Sequence, residues 1–119
     1  PAFTQKLVVN AKELASAIDR SSFIKADGKN IVKLTINEKT VDVTSNGSNG
    51  SSFEEINVVS FEGNPFEISC SGKYLTDAIK AMSADEITIS FSGELKPLII
   101  TDANDPSITQ LISPVRTYR

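Results

Sequence analysis

No histidine occurs among the 119 residues, so the usual general base and the commonest transition-metal ligand are both missing. The single cysteine, Cys70, cannot form an internal disulfide, and nothing else argues for secretion. No apolar run approaches the roughly 20 residues of a membrane span, and no basic-then-apolar leader precedes the first strand-like segment. The six glycines are scattered at turns and none builds a phosphate-cradling motif. Positive charge is scarce too: the net charge is −3 and the pI near 4.9, whereas a protein that grips nucleic acid tightly carries a basic footprint. These absences disfavour catalysis and favour a binding or scaffolding module. The length suits one domain, residues 1–119, with a core that needs no staples.

What is present alternates. "KLVVN" reads as a short strand, and Asn10 with Glu13 has capping-box spacing for a helix over 11–25. That helix carries Leu14, Ala17, Ile18 and Ser21 on one stripe and Lys12, Ser16 and Arg20 on another. "IVKLTI" and "VDVTS" follow as a hairpin joined by "NEKT", then the polar connector "NGSNGSS" and a strand "FEEINVVSF". After "EGNP" at 62–65 the order restarts. "PFEISC" is a strand, Ser71 caps "GKYLTDAIKAM", and Tyr74, Leu75, Ala78, Ile79 and Met82 form the predicted apolar stripe. Lys73, Asp77 and Lys80 lie opposite, and strands "EITISF", "LKPLIIT" and "SITQLISPV" complete the chain. The elements repeat as strand, helix and three strands, in halves of about 5–61 and 65–117, although no residue-level repeat is evident. The grammar is that of a duplicated α+β domain with two helices on one face of antiparallel sheet.

Several residue types invite chemistry. Cys70 ends a strand just before a helix, a position that can lower a thiol pKa, but a small buried hydrophobe is the simpler reading. Glu94, Asp102 and Asp105 could suggest a carboxylate metal site, yet turn chemistry explains "DANDP" better. Asn46 and Asn49 each begin "NGS", a glycosylation acceptor pattern that a plain polar loop also explains. Lys12, Arg20, Lys73 and Lys80 place positive charge on the outward sides of both helices, either as ordinary solvated surface or as a mildly basic layer near a phosphate backbone. Phe23 and Ile24 extend beyond the first helix's stripe, either as core packing or as an exposed patch for a partner.

The segments "VNAKELASAIDRSSFIKADGKNIVKLTI", "SGKYLTDAIKAM" and "FSGELKPLIITDANDPSITQLISPVRTYR" resemble the bacterial sliding clamp family, the DNA polymerase III β subunits, in their third, C-terminal domain. The resemblance covers essentially the whole chain. It implies a ring of two head-to-tail protomers of three domains each, with helices lining a hole for double-stranded DNA and sheet on the rim. The chain would then be an excised part of a protein about three times longer, working in the bacterial cytoplasm without a cofactor, a metal or catalytic residues. Polymerase, clamp loader and repair proteins would dock short linear peptides in a pocket bordered by Ser71, Tyr74, Leu95, Pro97, Leu111, Ile112, Ser113, Pro114, Val115 and Arg116. A preceding middle domain would supply the other wall. Lys12, Arg20, Lys73 and Lys80 would face DNA, and Phe23, Ile24, Glu54 and Glu55 would join the ring interface. Relatives place several acids after the Asn-rich turn, whereas "NGSNGSSFEE" leaves mainly Glu54 and Glu55 for that role. The competing readings are a freestanding peptide-binding adaptor and a small hydrolase using Cys70 or a serine.

Overall fold

A computed structural model describes residues 3–21, 31–47 and 50–115. The elements run β1 (Gln5–Asn10), α1 (Ala11–Ser21), β2 (Ile31–Ile36), β3 (Thr40–Gly47), β4 (Gly50–Asn57), β5 (Ser60–Glu62), β6 (Phe66–Ser71), α2 (Gly72–Met82), β7 (Glu86–Phe91), β8 (Leu98–Asp102) and β9 (Asp105–Ile112). All ladders are antiparallel. They form two sheets, ordered β5-β1-β7-β8-β9 and β4-β3-β2-β6. The α+β class with two helices therefore holds, and its sheet is divided in two.

Strict alternation produces the inner faces. Val32, Leu34 and Ile36 on β2, and Ile87, Ile89 and Phe91 on β7, are fully buried, while their neighbours are half-exposed. Each helix starts where a short polar side chain satisfies a backbone donor that has no partner within the helix. Asn10 Oδ1 accepts from the Glu13 N–H at 2.9 Å, and Ser71 Oγ accepts from the Tyr74 N–H at 3.3 Å. Leu14, Ala17, Ile18 and Ser21 turn inward from α1 as expected, and the Ser21 hydroxyl donates to the Ala17 carbonyl at 3.2 Å. The two helices pack side by side over both sheets, around one continuous apolar cluster. An edge-to-face contact of Phe66 with Phe91, centroids 4.7 Å apart, joins the two sheets.

The structure corrects several boundaries. "FEEINVVSF" is not one strand: β4 stops at Asn57, and β5 leaves to pair with β1 in the other sheet. The turn after β5 depends on Gly63 at φ +114°, where an added Cβ would lie 2.6 Å from the Thr4 carbonyl oxygen. Leu95 and Pro97 belong to a turn rather than a strand, with the Lys96 N–H bonded to the Gly93 carbonyl, and β8 begins only at Leu98. β9 begins at Asp105 and ends at Ile112, not Val115. α1 is described to Ser21, and the expected continuation to 25 lies outside the described residues.

Candidate functional site

A groove of about 530 Å³ opens between α2 and the chain leaving β9. Tyr74, Asp77, Ala78 and Ala81 form one side and residues 110–115 the other. The helix residues recur at i, i+3, i+4 and i+7, which brings them to one flank. Tyr74 is 63% exposed, so it stands on this flank and not on the inward stripe where helical periodicity put it. Two small alanines leave room beside the helix, and Leu111, 65% exposed, offers an uncovered apolar side chain. Ile112 is buried and anchors the opposite wall, followed by half-buried Pro114 and Val115. The volume lies within the range of small-ligand sites.

Six of the ten residues expected to border a pocket thus come together: Tyr74, Leu111, Ile112, Ser113, Pro114 and Val115. Ser71 sits one helical turn before Tyr74 as its cap, outside the lining. Leu95 and Pro97 are exposed on the β7–β8 turn and also do not line the groove. Arg116 lies outside the described residues. Sequence reasoning missed Asp77, Ala78, Ala81 and Gln110 as groove residues. The signal was available: once Tyr74 faces outward, residues three, four and seven positions on share its side.

The cations are largely compensated. Arg20 Nε lies 2.9 Å from Glu54 Oε1, Lys73 Nζ 3.0 Å from Asp77 Oδ2, and Lys80 Nζ 3.0 Å from Asp19 Oδ2. Among the described residues Lys12 has no ion-pair partner. All four are exposed, and with Glu13, Asp19 and Asp77 the helices carry four cations against three carboxylates. The layer is therefore only faintly positive. The Arg20–Glu54 bond also joins a residue expected to face DNA with one expected at a ring interface. Glu55 is exposed on β4, and Phe23 and Ile24 lie outside the described residues.

The other candidates resolve into structure. Cys70 is fully buried, and desolvation pushes its thiol from 9.0 up to about 12, so it is a protonated hydrophobe at neutral pH. Asp102 Oδ1 accepts from the Asn104 N–H at 2.9 Å. Asp105 Oδ1 accepts from both the Ser107 N–H and its hydroxyl, and both aspartates thereby cap turns. Asn46 lies within β3, paired with Ser51, and Asn49 falls outside the described residues. No helix among the described residues is long and apolar enough to cross a membrane.

Comparison with known proteins agrees with the fold. The family model described as DNA polymerase III beta subunit, C-terminal domain, matches residues 1–116. The beta sliding clamp of Bacillus subtilis is 40% identical over 116 residues, covering 95% of this chain and 31% of the relative. That of Staphylococcus epidermidis is 39% identical over 115 residues, covering 95% and 30%. The crystal structure of the Bacillus subtilis clamp superposes with a TM-score of 0.93, over 98% of this chain and 32% of that one. A Bartonella birtlesii clamp bound to griselimycin, 31% identical, gives 0.90 over 98% and 31%. The chain spans about a third of the length of the curated relatives it matches. With the match extending over nearly every residue, the chain belongs to the family of C-terminal domains found in the β subunits of DNA polymerase III.

Proposed function

We propose that this chain is the third of three domains of a β sliding clamp, a two-protomer ring that encircles duplex DNA in the bacterial cytoplasm and tethers a polymerase to it. The groove between α2 and residues 110–115 carries this reading, because it supplies an apolar docking wall within a domain of that family. Tyr74 and residues 111–115 form its two sides, while Ser71, Leu95, Pro97 and Arg116 would border the part that a preceding domain would complete. A short peptide of the glutamine-leucine-aromatic type, presented by polymerase, clamp loader or repair proteins, would place its apolar end against Tyr74 and Ile112. The griselimycin-bound relative supports a ligand site on a clamp of this fold. The doubled order of strand, helix and strands supports a duplicated unit within the domain, with halves of about 5–61 and 65–117.

Such a ring makes or breaks no bond and needs no cofactor. Topology holds it on DNA, so weak contact is an advantage: few phosphate contacts mean little counterion release and low resistance to sliding. The near balance of charge on the two helices fits that demand, with Lys12, Arg20, Lys73 and Lys80 as the diffuse DNA-facing cations. Glu54 and Glu55, with Phe23 and Ile24, would lie at the contact between protomers. The test is topological. The full-length protein loaded onto circular duplex should survive gel filtration with it and be lost when the circle is cut. Equal retention on circular and linear DNA would refute an encircling ring.

A further inference from the structure

β6 is an outer strand of the four-stranded sheet and pairs with β2 along one edge only. Among the described residues its other edge is met by one backbone group, the Val115 N–H, which donates to the Ser69 carbonyl at 2.8 Å. Residues 113–115 therefore leave the five-stranded sheet at Ile112 and reach across to the other sheet, beside the start of α2. That crossing is the wall of the groove facing Tyr74 and Ala78. Apart from the partial burial of Pro114 and Val115, little else among the described residues ties it down. Pro114 has no N–H to give, Ser113 is exposed, and among the described residues no second backbone hydrogen bond joins 113–115 to another element.

We infer that the Ser69 carbonyl and the Val115 N–H are the positioning pair of the groove, a single bond that holds its movable wall in the shape a peptide recognises. The inference rests on the peptide-docking reading above. A wall fixed by one bond at a sheet edge opens more readily than strands bonded along their length. A peptide that binds the docked arrangement better than the detached one must stabilise the bond by the same factor by which the bond favours the peptide. Ser69 itself touches no ligand in this account and acts through Val115.

Two variants separate the bond from the side chain. Val115→Pro removes the donor, whereas Val115→Ile keeps it. In the full-length protein, Val115→Pro should weaken binding of a glutamine-leucine-aromatic peptide about three- to tenfold, the scale of one hydrogen bond, and Val115→Ile, which alters a groove side chain but keeps the donor, should lose less than Val115→Pro. Amide exchange gives a readout that does not depend on a variant folding. In the unliganded protein Val115 should exchange slower than an unstructured amide but about a hundredfold or more faster than Ile89 in the sheet interior. Saturating peptide should slow it by at least the factor lost in Val115→Pro. Exchange at the unstructured rate, or peptide affinity untouched by Val115→Pro, would overturn the inference while leaving docking intact. Failure of the wild-type protein to bind peptide at all would remove the docking reading, and this inference with it.

Discussion

The junction of β1 with α1 and that of β6 with α2 correspond position by position. Leu7 and Val9 on one strand match Ile68 and Cys70 on the other, all buried, and Asn10 and Ser71 are the two helix caps. Leu14, Ala17 and Ile18 match Leu75, Ala78 and Ile79 as inward residues. On the outward side the correspondence ends. Glu13, Ser16 and Arg20 stand where Tyr74, Asp77 and Ala81 stand on the other helix. The flanking chain differs as well. Beside α1 runs β4, whose Glu55 and Ile56 close a polar groove of about 400 Å³ with Lys12, Glu13, Ser16 and Arg20. Beside α2 runs the segment leaving β9, and the groove there is mainly apolar. The inner half of each helix answers to packing, which is the same problem twice. The outer half is free to differ, and the two grooves differ there in polarity.

The largest effects should show that the inner faces are equivalent. Ile18→Ala and Ile79→Ala each empty a buried site and should each cost about 2–5 kcal/mol of unfolding free energy by urea titration. A cost confined to one helix would break the equivalence. The outer faces should then separate. Tyr74→Ala with Leu111→Ala, or deletion of residues 115–119, should weaken peptide binding by the full-length protein at least about tenfold, or 1.4 kcal/mol, by calorimetry. The melting temperature should move by only a few degrees, because Tyr74 and Leu111 are mostly exposed and one described hydrogen bond ties residue 115. Glu13→Ala, the counterpart of the Tyr74 change, should leave peptide affinity unaltered.

Val9 and Cys70 differ in what they do at high pH. The folded thiol titrates near 12 and the unfolded one near 9.0, so the unfolded state loses its proton first. Stability contributed by burying the neutral thiol is fully present below pH 9 and declines above it by up to about 1.4 kcal/mol per pH unit. Cys70→Ala should remove that part of the slope between pH 9 and 11. A slope identical in the two proteins would place the ionisation elsewhere. The smallest effect belongs to the polar groove. A double-mutant cycle on Arg20 and Glu54 should give a coupling of about 0–1 kcal/mol, shrinking with salt, because the arginine side chain is 57% exposed. A larger, salt-insensitive coupling would make that pair a structural lock.

The inner half of the molecule was legible in the sequence because period and burial coincide. Alternation in "IVKLTI" and "EITISF" and the Leu14, Ala17, Ile18 and Ser21 stripe predict the buried residues correctly. Both caps were readable from Asn10 and Ser71. The misreadings fall where a residue's apolarity does not follow its burial. Tyr74 fits the helical stripe by spacing yet stands out of it, since its neighbour Leu75 already fills the inward position. "FEEINVVSF" is apolar enough for one strand, but Val59 bonds through its N–H to the Val8 carbonyl, in the opposite sheet from β4. Which sheet a strand joins is a long-range matter that no local pattern records. The same limit left Gln110 unread, because a groove is a relation between distant segments, whereas Asp77, Ala78 and Ala81 were missed only through the misplacement of Tyr74.

β1 lies between β5 and β7, and β6 caps the sheet begun by β2 to β4. Each sheet therefore joins strands from both sides of the turn at Gly63, β6 being added to one, and β1 with β5 to the other. Neither stretch of chain can complete a sheet by itself, so the order of events in folding is constrained. The hairpin β2–β3–β4 can form early from local contacts, but β6 must arrive from beyond the turn before that sheet has all four strands. β1, made first, must wait for β7, made late. A chain nicked at Gly63 would yield two pieces whose route to order is each other. Both sheets draw on both pieces, so the two should stand or dissolve together, as a single cooperative unit.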